Sequence, residues 1–217
     1  MRRRGMMKVA SGPVPTVLFT GTRNNDPRQT SYSFTGAPIG PADPNRLVIV
    51  KAAGTRIFSR TFNTVTIGGV TADEAVANDN SQLPCGIWYA NVPSGETANI
   101  SLSLSGNIDW CHVTIWAAYN LSSFTPVIGT GAGGGGSIDT ITLTGAQNGD
   151  VGVLGQTFEG GSSTVSGAGF SEDFDSELGY SAFTTWYNSG ATANPISGTS
   201  VTVNRPTANA SLVAVWR

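Results

Sequence analysis

The sequence predicts an all-β protein: an antiparallel β-sandwich, jelly-roll-like, carried behind an extended basic N-terminal arm. Three observations lead there. Segments rich in valine, isoleucine, threonine and aromatic residues recur along the 217 residues, with glycine or proline turns between them. Only 12% of the chain is charged, and 28 glycines with abundant serine and threonine supply its polarity. That mix suits pleated surfaces and tight turns. Blocks rich in alanine, glutamate and lysine, which favour helices, are absent.

Residues 1–15 read as the arm, with Arg2, Arg3, Arg4 and Lys8 followed by Pro13 and Pro15 and no hydrophobic period. Such a segment orders on a partner. No apolar run follows the arginines, so neither a secretion signal nor a membrane span is expected. The sandwich domain is assigned to residues 16–217. Thr16–Thr22 and Thr30–Thr35 are its first strands. Leu47–Val50 is a continuous apolar run, predicting a central strand buried on both faces. Thr64–Ile67 alternates and stops at Gly68-Gly69. A short helix is predicted over Ala72–Ala77. Gly86–Val92 is a strand, Ile100–Ser105 alternates apolar and serine, and Trp110–Tyr119 follows. Residues 125–137 hold Gly129, Gly131 and Gly133 to Gly136 and predict a flexible loop or linker. The glycine-rich stretch 129–136 is the natural place to subdivide the domain. Further strands are predicted at Asp139–Thr144, Val151–Phe158, Tyr180–Tyr187, Ser200–Val203 and Ala210–Trp216, the last completing the core. Trp88-Tyr89 and Trp186-Tyr187 head two similar stretches, which either mark equivalent hairpins or coincide by chance.

Catalytic chemistry finds little support. His112 is the one histidine. On a strand it shares a face with Trp110, Thr114 and Trp116, and a hydrogen-bonded wall residue or a surface residue is the expectation. Gly129–Gly134 fits G-x-G-x-x-G formally, but no helix follows to meet a phosphate. Glu172, Asp173, Asp175 and Glu177 form the densest acidic cluster. They are a weak calcium candidate in a glycine-bounded loop; a solvated acidic loop is the alternative. Cys85 and Cys111 read as buried thiols or as a cross-sandwich disulfide. Trp88 and Trp186 are candidate glycan-stacking rings if exposed, and core residues otherwise. No cofactor, catalytic residue or resident metal is expected.

Charge is divided unevenly. Residues 1–60 carry ten basic side chains and two acids, whereas residues 61–204 carry no lysine or arginine and twelve acids. This predicts docking onto an acidic protein surface, or onto further copies, through Arg2, Arg3, Arg4, Lys8, Arg23 and Arg28, the alternative being charge that serves solubility alone. Nucleic acid and membrane are not expected partners.

Asn45–Val50, Val65–Val70 and Ile87–Gly95, with Ile115–Tyr119 and Ala214–Arg217, resemble a pattern found in small β-rich structural proteins of tailed bacteriophages. The resemblance spans most of residues 40–217. It implies a virion component assembled in the bacterial cytoplasm, associated with other virion proteins, and homo-oligomeric, with a trimer as one such assembly. An exterior capsid decoration (cement) protein is the leading expectation. A tail fibre or spike domain recognising a host surface glycan is the alternative, and neither is an enzyme.

Overall fold

The computed structural model describes residues 12–25, 27–55, 59–78, 83–133, 138–181, 184–204 and 207–217. Among them there is no helix, and seventeen strands run in order. They are β1 (Thr16–Asn25), β2 (Gln29–Pro38), β3 (Leu47–Thr55), β4 (Phe62–Ile67), β5 (Val70–Thr71), β6 (Asp73–Asn78), β7 (Cys85–Asn91), β8 (Thr97–Ile108) and β9 (Trp110–Tyr119). The second half holds β10 (Ile128–Gly133), β11 (Ile138–Thr142), β12 (Val151–Glu159), β13 (Thr164–Ser166), β14 (Phe170–Ser181), β15 (Thr184–Ala193), β16 (Ser200–Asn204) and β17 (Thr207–Trp216).

The fold is all-β, with four antiparallel sheets. Their strand orders are β1-β9-β3-β7-β6, β2-β8-β4-β5, β10-β17-β12-β15-β14 and β11-β16-β13. Leaving aside the two-residue β5, the halves are connected identically. β1-β9-β3-β7-β6 matches β10-β17-β12-β15-β14, and β2-β8-β4 matches β11-β16-β13. Each half has eight strands in jelly-roll order, with its fifth strand (β6 or β14) moved onto the edge of the first sheet. The Trp-Tyr echo therefore falls on equivalent strands, β7 and β15. The rings nevertheless point into different cores. Trp88 packs with Val48 and Ile100, whereas Trp186 packs with Trp110 of the other half.

Three large cores separate four sheet layers, and a smaller cluster holds Leu83, Trp110, Leu178 and Trp186. The first lies between β2-β8-β4 and β1-β9-β3-β7 and contains Tyr32, Val50, Ile67, Leu102 and Ile115. The second lies between the two jelly rolls, where Leu47, Ile49, Tyr89 and Trp116 meet Val153, Leu212 and Trp216. The third, with Leu154, Phe170, Val203 and Val213, lies within the second jelly roll. The two middle sheets are thus covered on both faces. This explains why β9 and β12 are buried almost without interruption, and why Leu47–Val50 needs apolar side chains at every position. Strand β8 lines one core only and alternates, Ile100, Leu102 and Leu104 inward with serines between. Gly68 and Gly69 both take positive φ (62° and 82°), as a two-residue hairpin turn between β4 and β5 demands.

Three segments depart from expectation. Ala72–Ala77 does not form a helix; from Asp73 onward its residues enter β6, which pairs with β7 and lays Ala75 and Val76 against the middle core. Six residues cannot nucleate a helix against that competition. The glycine-rich stretch is a strand as far as Gly133, paired with β17 from Ile128↔Val215 to Gly133↔Ala210. Its glycines serve close approach: a Cβ on Gly129 would collide with the Ala75 carbonyl of β6. Residues 134–137 lie outside the described residues. Finally, Glu172–Glu177 is not a loop but the middle of β14.

The crossing between halves, residues 120–127, is pinned. Asn120 adopts φ 58°, Ser122 N and Oγ donate to the Arg217 carbonyl, and Trp216 Nε1 donates to Phe124 O at 2.9 Å.

Candidate functional site

The middle core changes character along its length. At one end it is apolar. At the other, Lys51 of β3, His112 and Thr114 of β9, Thr157 of β12 and Asn188 of β15 all turn inward and all are buried. Strand pairing brings them together: Lys51 is opposite Thr114 in register, Ala53 is opposite His112, and Thr157 is opposite Asn188. Two glycines make the space. A Cβ on Gly155 would stand 2.8 Å from Lys51 Cγ, and one on Gly190 would stand 2.9 Å from Trp116 Cζ2.

Lys51 Nζ donates to Gln156 O (2.5 Å), to Thr157 Oγ1 (2.8 Å) and to Asn188 Oδ1. The other end of the same carboxamide, Asn188 Nδ2, lies 2.6 Å from His112 Nδ1 and 3.3 Å from Thr114 Oγ1. His112 stacks on Phe174 with ring centroids 6.1 Å apart. No carboxylate bonds to any of these groups among the described residues. Desolvation pushes the Lys51 ammonium down to about 7. Desolvation, with Lys51 nearby, pushes His112 down to about 3. At neutral pH the imidazole is uncharged, so Nδ1 accepts from Asn188. The chemical content is a poised amine set against a fixed carboxamide in a buried enclosure.

Of the two readings of His112, wall or surface, the structure gives the hydrogen-bonded interior one. Lys51 and Asn188 escaped attention. The available signal was a lysine inside Leu47–Ala53, a run otherwise without a polar side chain.

The basic set divides. Arg2, Arg3, Arg4 and Lys8 lie outside the described residues. Arg23 is exposed on edge strand β1 and donates to the Thr22 carbonyl (2.8 Å). Arg28 is exposed and faces Asp109 at 3.9 Å. Seven residues of extended β1 separate Thr16 from Arg23, about 23 Å, so Arg23 and Arg28 sit at the far end of β1 from the point where the N-terminal segment joins it. Two other members of the basic portion are interior. Lys51 occupies the middle core, and Arg46, fully buried, donates to the carbonyls of Gly40, Pro41, Val92, Ser94 and Gly95 at 2.6–2.9 Å.

The remaining candidates are not assembled as sites. Trp88 and Trp186 are only 4% and 6% exposed, so neither offers a face to a sugar. The carboxylates of β14 diverge. Asp173 accepts from Trp116 Nε1 (2.8 Å) and Thr192 Oγ1 (3.0 Å), Asp175 accepts from Ser163 N (2.8 Å), and Glu172 and Glu177 face solvent. Among the described residues no three His, Cys, Asp or Glu side chains gather as a metal site would require. Cys85 and Cys111 are buried on opposite faces of one sheet, in the second and first cores respectively, which precludes a disulfide between them. Compared with protein-family models and with curated proteins, the sequence matches none.

Proposed function

We propose that the protein is a structural component of a bacteriophage virion, an exterior capsid decoration protein that grips its neighbours through its basic N-terminal portion. The observation that carries the reading is the charge division: ten basic groups in residues 1–60 against none in residues 61–204. Burial of Arg46 and Lys51 sharpens it, because the basic charge open to a partner is then weighted toward residues ahead of position 30. A tandem jelly roll with a continuous middle core also suits a rigid shell component, an argument by analogy of fold. The work expected of such a protein is surface complementarity without bond-making on a substrate. Burial of Trp88 and Trp186 leaves the alternative, a glycan-recognising fibre domain, without the exposed rings that suggested it.

Co-sedimentation of the purified protein with undecorated shells of the parent phage tests the proposal. Binding at low salt that weakens as salt rises is expected, together with loss of binding on removal of residues 1–11. Absence of binding at low salt, or full binding by the truncated protein, would overturn the docking model.

A further inference from the structure

The two jelly rolls face each other through the middle core, and at its polar end a lysine of one half touches an asparagine of the other. We propose that Lys51 and Asn188 become joined by an isopeptide bond, Nζ to Cγ, that clamps the two halves covalently. The inference is independent of whether the protein docks on a shell.

Four features of the geometry support it. First, Nζ touches the Asn188 carboxamide at Oδ1, the oxygen carried by Cγ, and is enclosed: Lys51 is 1% exposed and Asn188 0%. Second, the stem of Lys51 is held in place over Gly155, where any side chain would displace it. Third, the carboxamide is fixed at both ends, Oδ1 lying 3.3 Å from Thr157 Oγ1 and Nδ2 lying 2.6 Å from His112 Nδ1. Fourth, Lys51 bonds to no carboxylate among the described residues. A buried ammonium without a counterion is costly, and the neutral amine that relieves this cost is a nucleophile. Two reactants held this way have effective concentrations far above any attainable in solution.

The step balances without an oxidant or co-reactant. The Nζ lone pair adds to Cγ, and a tetrahedral centre forms. One proton leaves Nζ and one arrives at Nδ2. The Cγ–Nδ2 bond breaks, and ammonia departs. Thr157 Oγ1, 2.8 Å from Nζ and 3.3 Å from Oδ1, is placed to take the proton from nitrogen and to support the charge on oxygen. The proton that Nδ2 gains is the one Nζ sheds, and His112 Nδ1, accepting from Nδ2, holds the leaving group in place.

Mass spectrometry of the denatured full-length protein tests the bond. The wild type is expected to be lighter than its sequence by one ammonia, while Lys51→Met and Asn188→Ala keep full mass. Digestion adds the location. Trypsin should leave Lys51 uncut, with residues 47–56 tied to the long fragment 61–217, whose one internal basic residue, Arg205, precedes Pro206 and resists cleavage. Wild-type protein at full mass would overturn the proposal, and so would ammonia loss confined to a single unbranched peptide. His112→Ala should slow the mass change at least tenfold in freshly made protein; an unchanged rate would remove His112 from the step.

Discussion

The stem of Lys51 fills the space that a side chain at position 155 would take. A Cβ on Gly155 would stand 2.8 Å from Lys51 Cγ, 2.9 Å from Cδ and 3.3 Å from Cε. In an ordinary strand, replacing glycine by alanine stabilises by a few tenths to 1 kcal/mol. Here the overlap involves a side chain pinned at its tip by three acceptors, so steric cost wins. Gly155→Ala should destabilise by about 1–3 kcal/mol, read as a lower urea midpoint. A stabilised variant would mean that the lysine has an alternative path through the core.

Arg46 joins loops that strand pairing leaves apart. Its guanidinium satisfies the carbonyls of Gly40 and Pro41 on one side and of Val92, Ser94 and Gly95 on the other. A lysine offers a point charge in place of a planar fork and cannot reach both groups. Arg46→Lys and Arg46→Met should each cost at least about 3 kcal/mol, since several buried carbonyls lose their donor. Chemical denaturation checks this. A loss below 1 kcal/mol would show that water replaces the guanidinium.

Asp150 supplies an acid-sensitive contact. Burial raises its pKa, but hydrogen bonds from Arg217 (2.8 and 2.9 Å) and from Gln147 N, with the charge of Arg217, outweigh it, and the net effect is a depressed value. A carboxyl depressed on folding contributes stability above its unfolded pKa of about 3.9, and that stability is lost as pH falls through the folded value. Arg217→Ala should therefore lower stability at neutral pH and flatten the acid limb below about pH 4. Thermal melts between pH 7 and pH 3 decide it; identical profiles for variant and wild type would exclude the pair as a contributor.

How much of this was legible in the sequence follows from what each pattern encodes. The all-β class was legible because alternation and turn residues act locally: Ile100–Ser105 and Gly68-Gly69 behave as their chemistry requires. Burial of Leu47–Val50 on both faces was legible for the same reason. The doubling of the jelly roll was not, because topology leaves no local mark and the one echo, Trp88 against Trp186, faces different cores. The glycines at 129 and 131 misled, since a glycine needed for close approach looks like one needed for flexibility. Lys51, Asn188 and Thr157 stand far apart in sequence and share a site only through sheet stacking, which no spacing rule captures.

Titration of Lys51 distinguishes a free amine from a bonded one. In Asn188→Ala the amine has no carboxamide to join, and desolvation by burial, which lowers Lys51 to about 7 in the intact site, still holds it below the ordinary lysine value. Between the lowered value and the ordinary lysine value of about 10.4 the unfolded chain binds a proton that the folded chain does not. Stability should accordingly rise with pH across that window, by up to about 1.4 kcal/mol per unit. The titratable groups turned toward Lys51, His112 and Cys85, are present in both Asn188→Ala and the double variant Asn188→Ala/Lys51→Met, so the difference between the two isolates the amine. The wild type, with Nζ converted to an amide, should lack the rise. Urea midpoints at several pH values from 7 to 10 make the comparison, and a wild type that climbs in parallel with Asn188→Ala would show that Lys51 remains a free amine.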